Sequence, residues 1–217
     1  MSTKPSSQPP ILSLEQIAAA HERIAPRIHR TPVLQSATID ALCGAKIFFK
    51  CENLQKTGSF KIRGATNAIF SLSEREASHG IVTHSSGNHG AAVACAAGWR
   101  GVPAWIVMPK NAPIIKCQAV EAYGGKIINI HPSLLPSFPG KDAVGQALEA
   151  GVKVTGVTIH YVDAGMDTGP IIAQEAVVVS EGDTRESLQK KIQQVEHKLY
   201  VNTVNQIVQS VKKPTVN

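Results

Sequence analysis

The sequence predicts an α/β protein built on an open, mainly parallel, Rossmann-like sheet with helices on both faces, a three-layer sandwich. Three observations predict it. Short β-rich runs, IVTHSS (81–86), AWIVMP (104–109) and KIINI (126–130), alternate with helical stretches, the rhythm of βαβ units around a parallel sheet. Glycines at Gly87 and at Gly124-Gly125 punctuate the changes of period. The chain has 217 residues, 43% hydrophobic and 18% charged, enough to bury a core as one large domain or two small ones.

The elements follow in order. Residues 1–10, MSTKPSSQPP, carry three prolines and no apolar core; they read as a disordered tail rather than a secretory signal. Ser13 with Gln16 three positions on forms a capping box for an amphipathic helix over 14–24, which Pro26 ends. An extended piece at 32–34 and a short helix at 38–42, closed by Gly44, lead to a strand at 46–52. A loop containing Gly58 precedes a helix that Ser59 can cap and that runs to Ser71. The strand at 81–86 turns tightly at Gly87-Asn88 into an alanine-rich helix, 89–99. Strand 104–109, helix 112–125 with its glycine stop, and strand 126–130 continue the alternation. Prolines at 132, 136 and 139 make 131–140 an extended loop. A helix at 141–150 ends at Gly151. Two strands follow at 154–163 and 171–180, where an antiparallel edge can form. Thr184 caps a long final helix.

Composition excludes several classes. No apolar run approaches the ~18 residues of a membrane-spanning helix, and with no targeting segment the expected location is the cytoplasm. Cys43, Cys51, Cys95 and Cys117 match no zinc or redox spacing and read as buried, reduced thiols, so no metal is expected. Net charge is +6, from +7 over 1–127 (14 Lys+Arg, 7 Asp+Glu) and −1 over 128–217 (8 against 9). The basic residues are scattered singly without interleaved aromatics, which argues against nucleic acid. The basic half suits anionic small molecules as partners.

Two sets of residues carry chemistry. Lys61, in TGSFKIRG, sits just inside a helix start, where the helix's positive end favours an amine ready to form an imine; an ordinary surface lysine is the competing reading. Ser85-Ser86-Gly87-Asn88-His89-Gly90 follows a strand and opens a helix. It reads either as a plain helix cap or as a cradle whose N–H groups bind carboxylate or phosphate. Farther on, Asn129 and His131 are two apart on one strand and share a side. An amide donor beside an imidazole suits acyl transfer, with Asp167 placed to orient the histidine. A histidine satisfying a loop backbone is the alternative.

The wording of these stretches sharpens the choice. CENLQKTGSFKIRGATNA and THSSGNHGAAVACAA resemble the serine/threonine dehydratase and serine racemase family of fold-type II pyridoxal-phosphate enzymes, over about 11–127. The resemblance implies pyridoxal phosphate on Lys61 as a Schiff base, Phe60 packed beside the ring and Asn88 on its phenolic oxygen. It implies that Ser86 moves a proton on the opposite side of the substrate, and that Ser85, Gly87 and His89 hold its carboxylate. NIHPSLLPSFPG, GVTIHYVDAGMDTGPIIAQ and EHKLY resemble the C-terminal part of the phosphoribosylglycinamide formyltransferase family, over about 128–210. That resemblance implies a catalytic trio of Asn129, His131 and Asp167, with His160 near the site. It also implies a 10-formyltetrahydrofolate cosubstrate against 162–167. Nothing after Gly125 resembles the first family's glycine-rich phosphate loop, and nothing before 128 resembles that of the second.

The expectation is therefore a chimera, engineered from two parents, with segments 11–127 and 128–217 sharing one sheet. The seam falls in KIINI, where either pattern continues unbroken. Efficient turnover is not expected; weak pyridoxal-phosphate binding at Lys61 is the first expectation, and a formyltransferase half-site at Asn129, His131 and Asp167 the second. Apolar surface that packed on absent segments predicts a homo-oligomer.

Overall fold

The computed structural model describes residues 12–109, 112–163 and 165–210; the expected tail at 1–10 lies outside them. The N-terminal elements are α1 (Leu14–Ile24), β1 (Val33–Leu34), α2 (Ala37–Cys43), β2 (Phe49–Lys50), α3 (Lys61–Ser71) and α4 (Glu74–Ala77). Then come β3 (Ile81–His84), α5 (Asn88–Arg100), β4 (Ala104–Val107), α6 (Ile114–Ala122) and β5 (Lys126–His131). The chain continues through α7 (Ala143–Glu149), β6 (Val154–Tyr161), β7 (Ile171–Val178) and α8 (Arg185–Ser210).

The capping box at Ser13 and Gln16 forms. Ser36 caps α2, and Gly44 closes it in the left-handed conformation. Two local expectations give way. The strand at 46–52 shrinks to the pair Phe49–Lys50 against β1, because β1 offers only two residues to pair with. Ser59 is buried and does not cap α3; Phe60 holds that position without a side-chain bond.

One sheet of five strands runs in chain order, β3-β4-β5-β6-β7. The first three are parallel. The last two contacts, β5 with β6 and β6 with β7, are antiparallel. The sheet is therefore mixed rather than mainly parallel. The segment 162–170 is too short for the dozen-residue crossover that a parallel return needs, so β7 must fold back along β6. β5 itself is divided in its pairing. Lys126, Ile127 and Ile128 lie against β4, while Ile128 to His131 lie against β6.

Strand alternation sends side chains to two cores, one on each face. Ala104, Ile106, Met108 and Ile127 face α3, α5 and α6. Trp105, Val107, Ile128, Val157 and Ile159 face Val144 of α7 and Leu188 and Ile192 of α8. α5 is buried continuously from Gly90 to Ala97, because its small side chains let it lie between α3 and the sheet. A Cβ at Gly90 would stand 2.9 Å from Ile106 Cγ2, so glycine there sets the helix–sheet approach. α8 starts on a reciprocal cap, in which Ser187 N–H donates to Thr184 Oγ1 (3.2 Å) and Thr184 N–H donates to Ser187 Oγ (3.0 Å). Among the described residues no helix is long and apolar enough to cross a membrane.

Candidate functional site

β5 carries Asn129 and His131 into the interior, 4% and 1% exposed. Opposite Asn129 in the antiparallel register stands His160 of β6. The His160 ring is fixed by its neighbours. Nδ1 lies 2.8 Å from the Tyr161 carbonyl, which can only accept, so Nδ1 carries the proton. Nε2 then accepts from Asn129 Nδ2 at 3.2 Å. His131 is held in the same manner through its other nitrogen, Nε2 donating to the Phe138 carbonyl at 2.9 Å.

Asp167 joins the two histidines. It sits in the loop between β6 and β7 with a left-handed backbone (φ 57°) and a side chain only 4% exposed. One oxygen, Oδ2, lies 3.4 Å from His131 Nδ1 and accepts the Gly140 N–H at 2.8 Å. The other, Oδ1, lies 3.8 Å from His160 Nε2. A non-glycine residue holding positive φ is strained, and here that backbone places a carboxylate between two imidazoles. The structure thus brings together Asn129, His131 and Asp167, with His160, also expected near the site, beside them.

Two cavities flank this cluster. The first, about 320 Å³, is lined by Asn129, His160, Val162, Asp163 and Asp167, and on its other wall by Met108, Pro109 and Cys117. That second wall comes from the strand end of β4 and from α6. The second cavity, about 640 Å³, is lined by His131, Gly140, Lys141 and Arg185 among others. Met166 borders both. The wall of Met108, Pro109 and Cys117 was not foreseen from sequence. The available signal was position, since Met108 and Pro109 follow β4 directly and β4 is the neighbour of β5. Nor are the cysteines uniformly buried. All four are free thiols, with Cys95 buried, Cys43 exposed and the other two between. Cys43 is on the short α2, which buries no residue, and burial pushes the Cys117 thiol up.

The residues expected around Lys61 form a separate and more open group. Lys61 and Phe60 are both exposed, with the ammonium 5.1 Å from the ring centroid. His89 is nearby, its pKa lowered by burial and then by the Lys61 charge. Ser85 is buried, and its Oγ accepts the N–H groups of Gly87 (3.2 Å) and Gly90 (2.9 Å). It therefore caps α5 and takes up donors that an anion cradle would offer. Lys116 donates to the Asn88 side-chain oxygen, and Ser86 is exposed. Ser85 and Asn129 occupy the same sheet edge but lie two strands apart, roughly 10 Å at sheet spacing. None of Lys61, Ser85, Ser86, Gly87, Asn88 and His89 lines either cavity.

Comparison with known proteins finds two families in the chain. The family model described as "Formyl transferase" matches residues 67–204, more than half of the chain.

The chain belongs to the formyl transferase family.

Within that family it is 63% identical over 89 residues to phosphoribosylglycinamide formyltransferase of Bacillus subtilis, covering 41% of this chain and 46% of that protein. The other part is similar to serine racemases. Identity to the serine racemase of Oryza sativa subsp. japonica is 60% over 115 residues, 53% of this chain and 34% of that protein. The solved serine racemase of Dictyostelium discoideum aligns with TM-score 0.54 and 52% identity over 57% of this chain and 40% of that one. The chain therefore spans about a third of the length of these racemases and just under half of the formyltransferase. It combines a racemase-like part and a formyltransferase-like part in one protein.

Proposed function

We propose that this chain binds a formyl-bearing folate in the smaller cavity and transfers the formyl group to an amine held in the larger one. One observation carries the reading: the Asp167 carboxylate lies between His131 and His160, at the boundary of the two cavities that share Met166. The first cavity combines apolar walls (Met108, Ile127, Val162) with a few polar groups (Asn129, His160, Asp163), the usual make-up of a small-molecule pocket.

The residues divide the work. Asn129 Nδ2 carries a second hydrogen beyond the one bonded to His160, and that hydrogen can meet the oxygen of the formyl carbonyl as negative charge develops there. The amine nitrogen bonds to the formyl carbon, and the bond from that carbon to the folate nitrogen breaks. The proton lost by the amine passes through His131 to the released nitrogen. A proton held on His131 Nδ1 lies against Asp167, which stabilises the charged ring. Calorimetric titration with a stable 10-formyl folate analogue tests the reading. Saturable binding that weakens about tenfold in Asp167→Asn supports it; heat of dilution alone would defeat it.

Pyridoxal phosphate at Lys61 is supported by the racemase-like sequence but not by the fit of the residues. Lys61 and Phe60 supply one open side, Ser85 and Asn88 are engaged elsewhere, and the segment that follows residue 127 is formyltransferase-like.

A further inference from the structure

We infer that the cleft between α1, β2 and α3 binds a compact polyanion bearing at least two phosphate groups, a site independent of the formyl-transfer reading. The cleft encloses about 560 Å³, and its lining includes His21, His29, Arg30, Lys50 and Arg63, with Ile28 and Ala25 as an apolar side. Five side chains able to carry positive charge thus converge from four pieces of chain: the last turn of α1, the segment after it, β2 and α3.

Compensation inside the cleft is incomplete. Glu52 is the one acid bonded to these cations among the described residues. It takes Arg63 Nε (2.8 Å) and Nη2 (2.7 Å), along with the Thr31 hydroxyl (2.5 Å). Its carboxyl is held down to about 2, by Arg63 first, so it is ionised at neutral pH. Three permanent cations face one carboxylate, leaving a surplus of two charges before either histidine is protonated. Lys50 Nζ donates to the Thr31 carbonyl (2.7 Å), and Arg63 Nη2 also reaches the His29 carbonyl (3.5 Å). His29 Nδ1 lies 3.2 Å from the Leu54 carbonyl and so donates to it; only a protonated ring would add an Nε2–H for an anion. Arg30 has no ion pair or side-chain hydrogen bond among the described residues and is exposed at the rim.

These features select the ligand class. A guanidinium presents a planar fork that binds phosphate oxygens in pairs. Cations spread around one cleft suit several linked anionic groups better than one. The apolar side at Ala25 and Ile28 can carry an uncharged body. The +7 balance of residues 1–127 adds attraction at longer range. Lys61 is not part of this lining.

The test is calorimetric titration of the whole chain with inorganic pyrophosphate at fixed ionic strength. One saturable site is expected. Arg30→Ala should weaken it about tenfold, the loss of one charge-assisted pair. Because Arg30 has no side-chain hydrogen bond or ion pair among the described residues, that variant should keep the wild-type circular dichroism and melting curve. Arg75→Ala, on α4 and outside the cleft, removes the same charge and should leave the affinity unchanged. Equal weakening by the two variants would mean diffuse attraction and overturn the site. Equal affinity for citrate would overturn the phosphate assignment, and absence of saturation would overturn both.

Discussion

His131 Nδ1 lies 3.4 Å from Asp167 Oδ2, and both side chains are almost wholly enclosed. His131 borders the larger cavity but not the smaller one. His131→Ala should therefore lower the rate of formyl transfer by 10²–10⁴, roughly the range for a lost general acid–base group, while donor affinity changes little. Single-turnover rates and a binding titration on the same variant separate the two. A variant that loses donor affinity and rate together would place His131 in the donor pocket instead.

Gly90 governs how closely α5 approaches the sheet. A methyl group there meets Ile106 Cγ2 at 2.9 Å and Val120 Cγ2 at 3.4 Å. Gly90→Ala should destabilise the protein by about 1–3 kcal/mol, as overpacking does. The urea midpoint reads this directly, and an unchanged midpoint would mean that α5 moves aside without cost.

Glu52 and Arg63 give a pH signature. The Glu52 carboxyl falls from its ordinary value near 4.5 to about 2, chiefly through its bonds to Arg63. Its contribution is complete above about pH 4.5 and is lost as pH falls through about 2. Melting temperature should decline across that window in the wild type. The decline should be shallower in Glu52→Gln, whose uncharged amide has no such titration. Parallel curves for the two proteins would show that other carboxylates control acid stability.

The region of β1, α2 and β2 leaves Val33 (53%), Leu34 (54%), Leu42 (82%) and Phe48 (63%) exposed. Exposed apolar side chains in this number favour association. Sedimentation velocity should show mass rising with protein concentration, and Val33→Thr with Phe48→Ser should shift the balance toward monomer. A monomer at every concentration would remove the idea.

Much of this molecule can be read from its sequence, for identifiable reasons. The Ser13 box, the Gly44 stop and the Thr184 cap are local signals, and each forms. The pairing of Asn129 with His131 rests on strand alternation, which holds wherever the register holds. The balance of parallel and antiparallel strands was harder, because it depends on where β6 lands. Only the shortness of 162–170 carried a hint. The wall of Met108, Pro109 and Cys117 could not be read locally at all. It follows from which strand lies beside β5, a long-range fact. Ser85 shows the reverse case: the same residues read equally well as an anion cradle or a cap, and only the structure shows its Oγ accepting the N–H groups of Gly87 and Gly90.

The divided pairing of β5 has a further consequence. Ile128 stands in register with Val107 of β4 on one side and with Tyr161 of β6 on the other, so both strands help to place Asn129, the next residue. A packing change on the β4 side should therefore move the Asn129 and His160 pair, although neither residue is touched. Mechanically the two parts are one unit at this strand: neither can shift without moving the other.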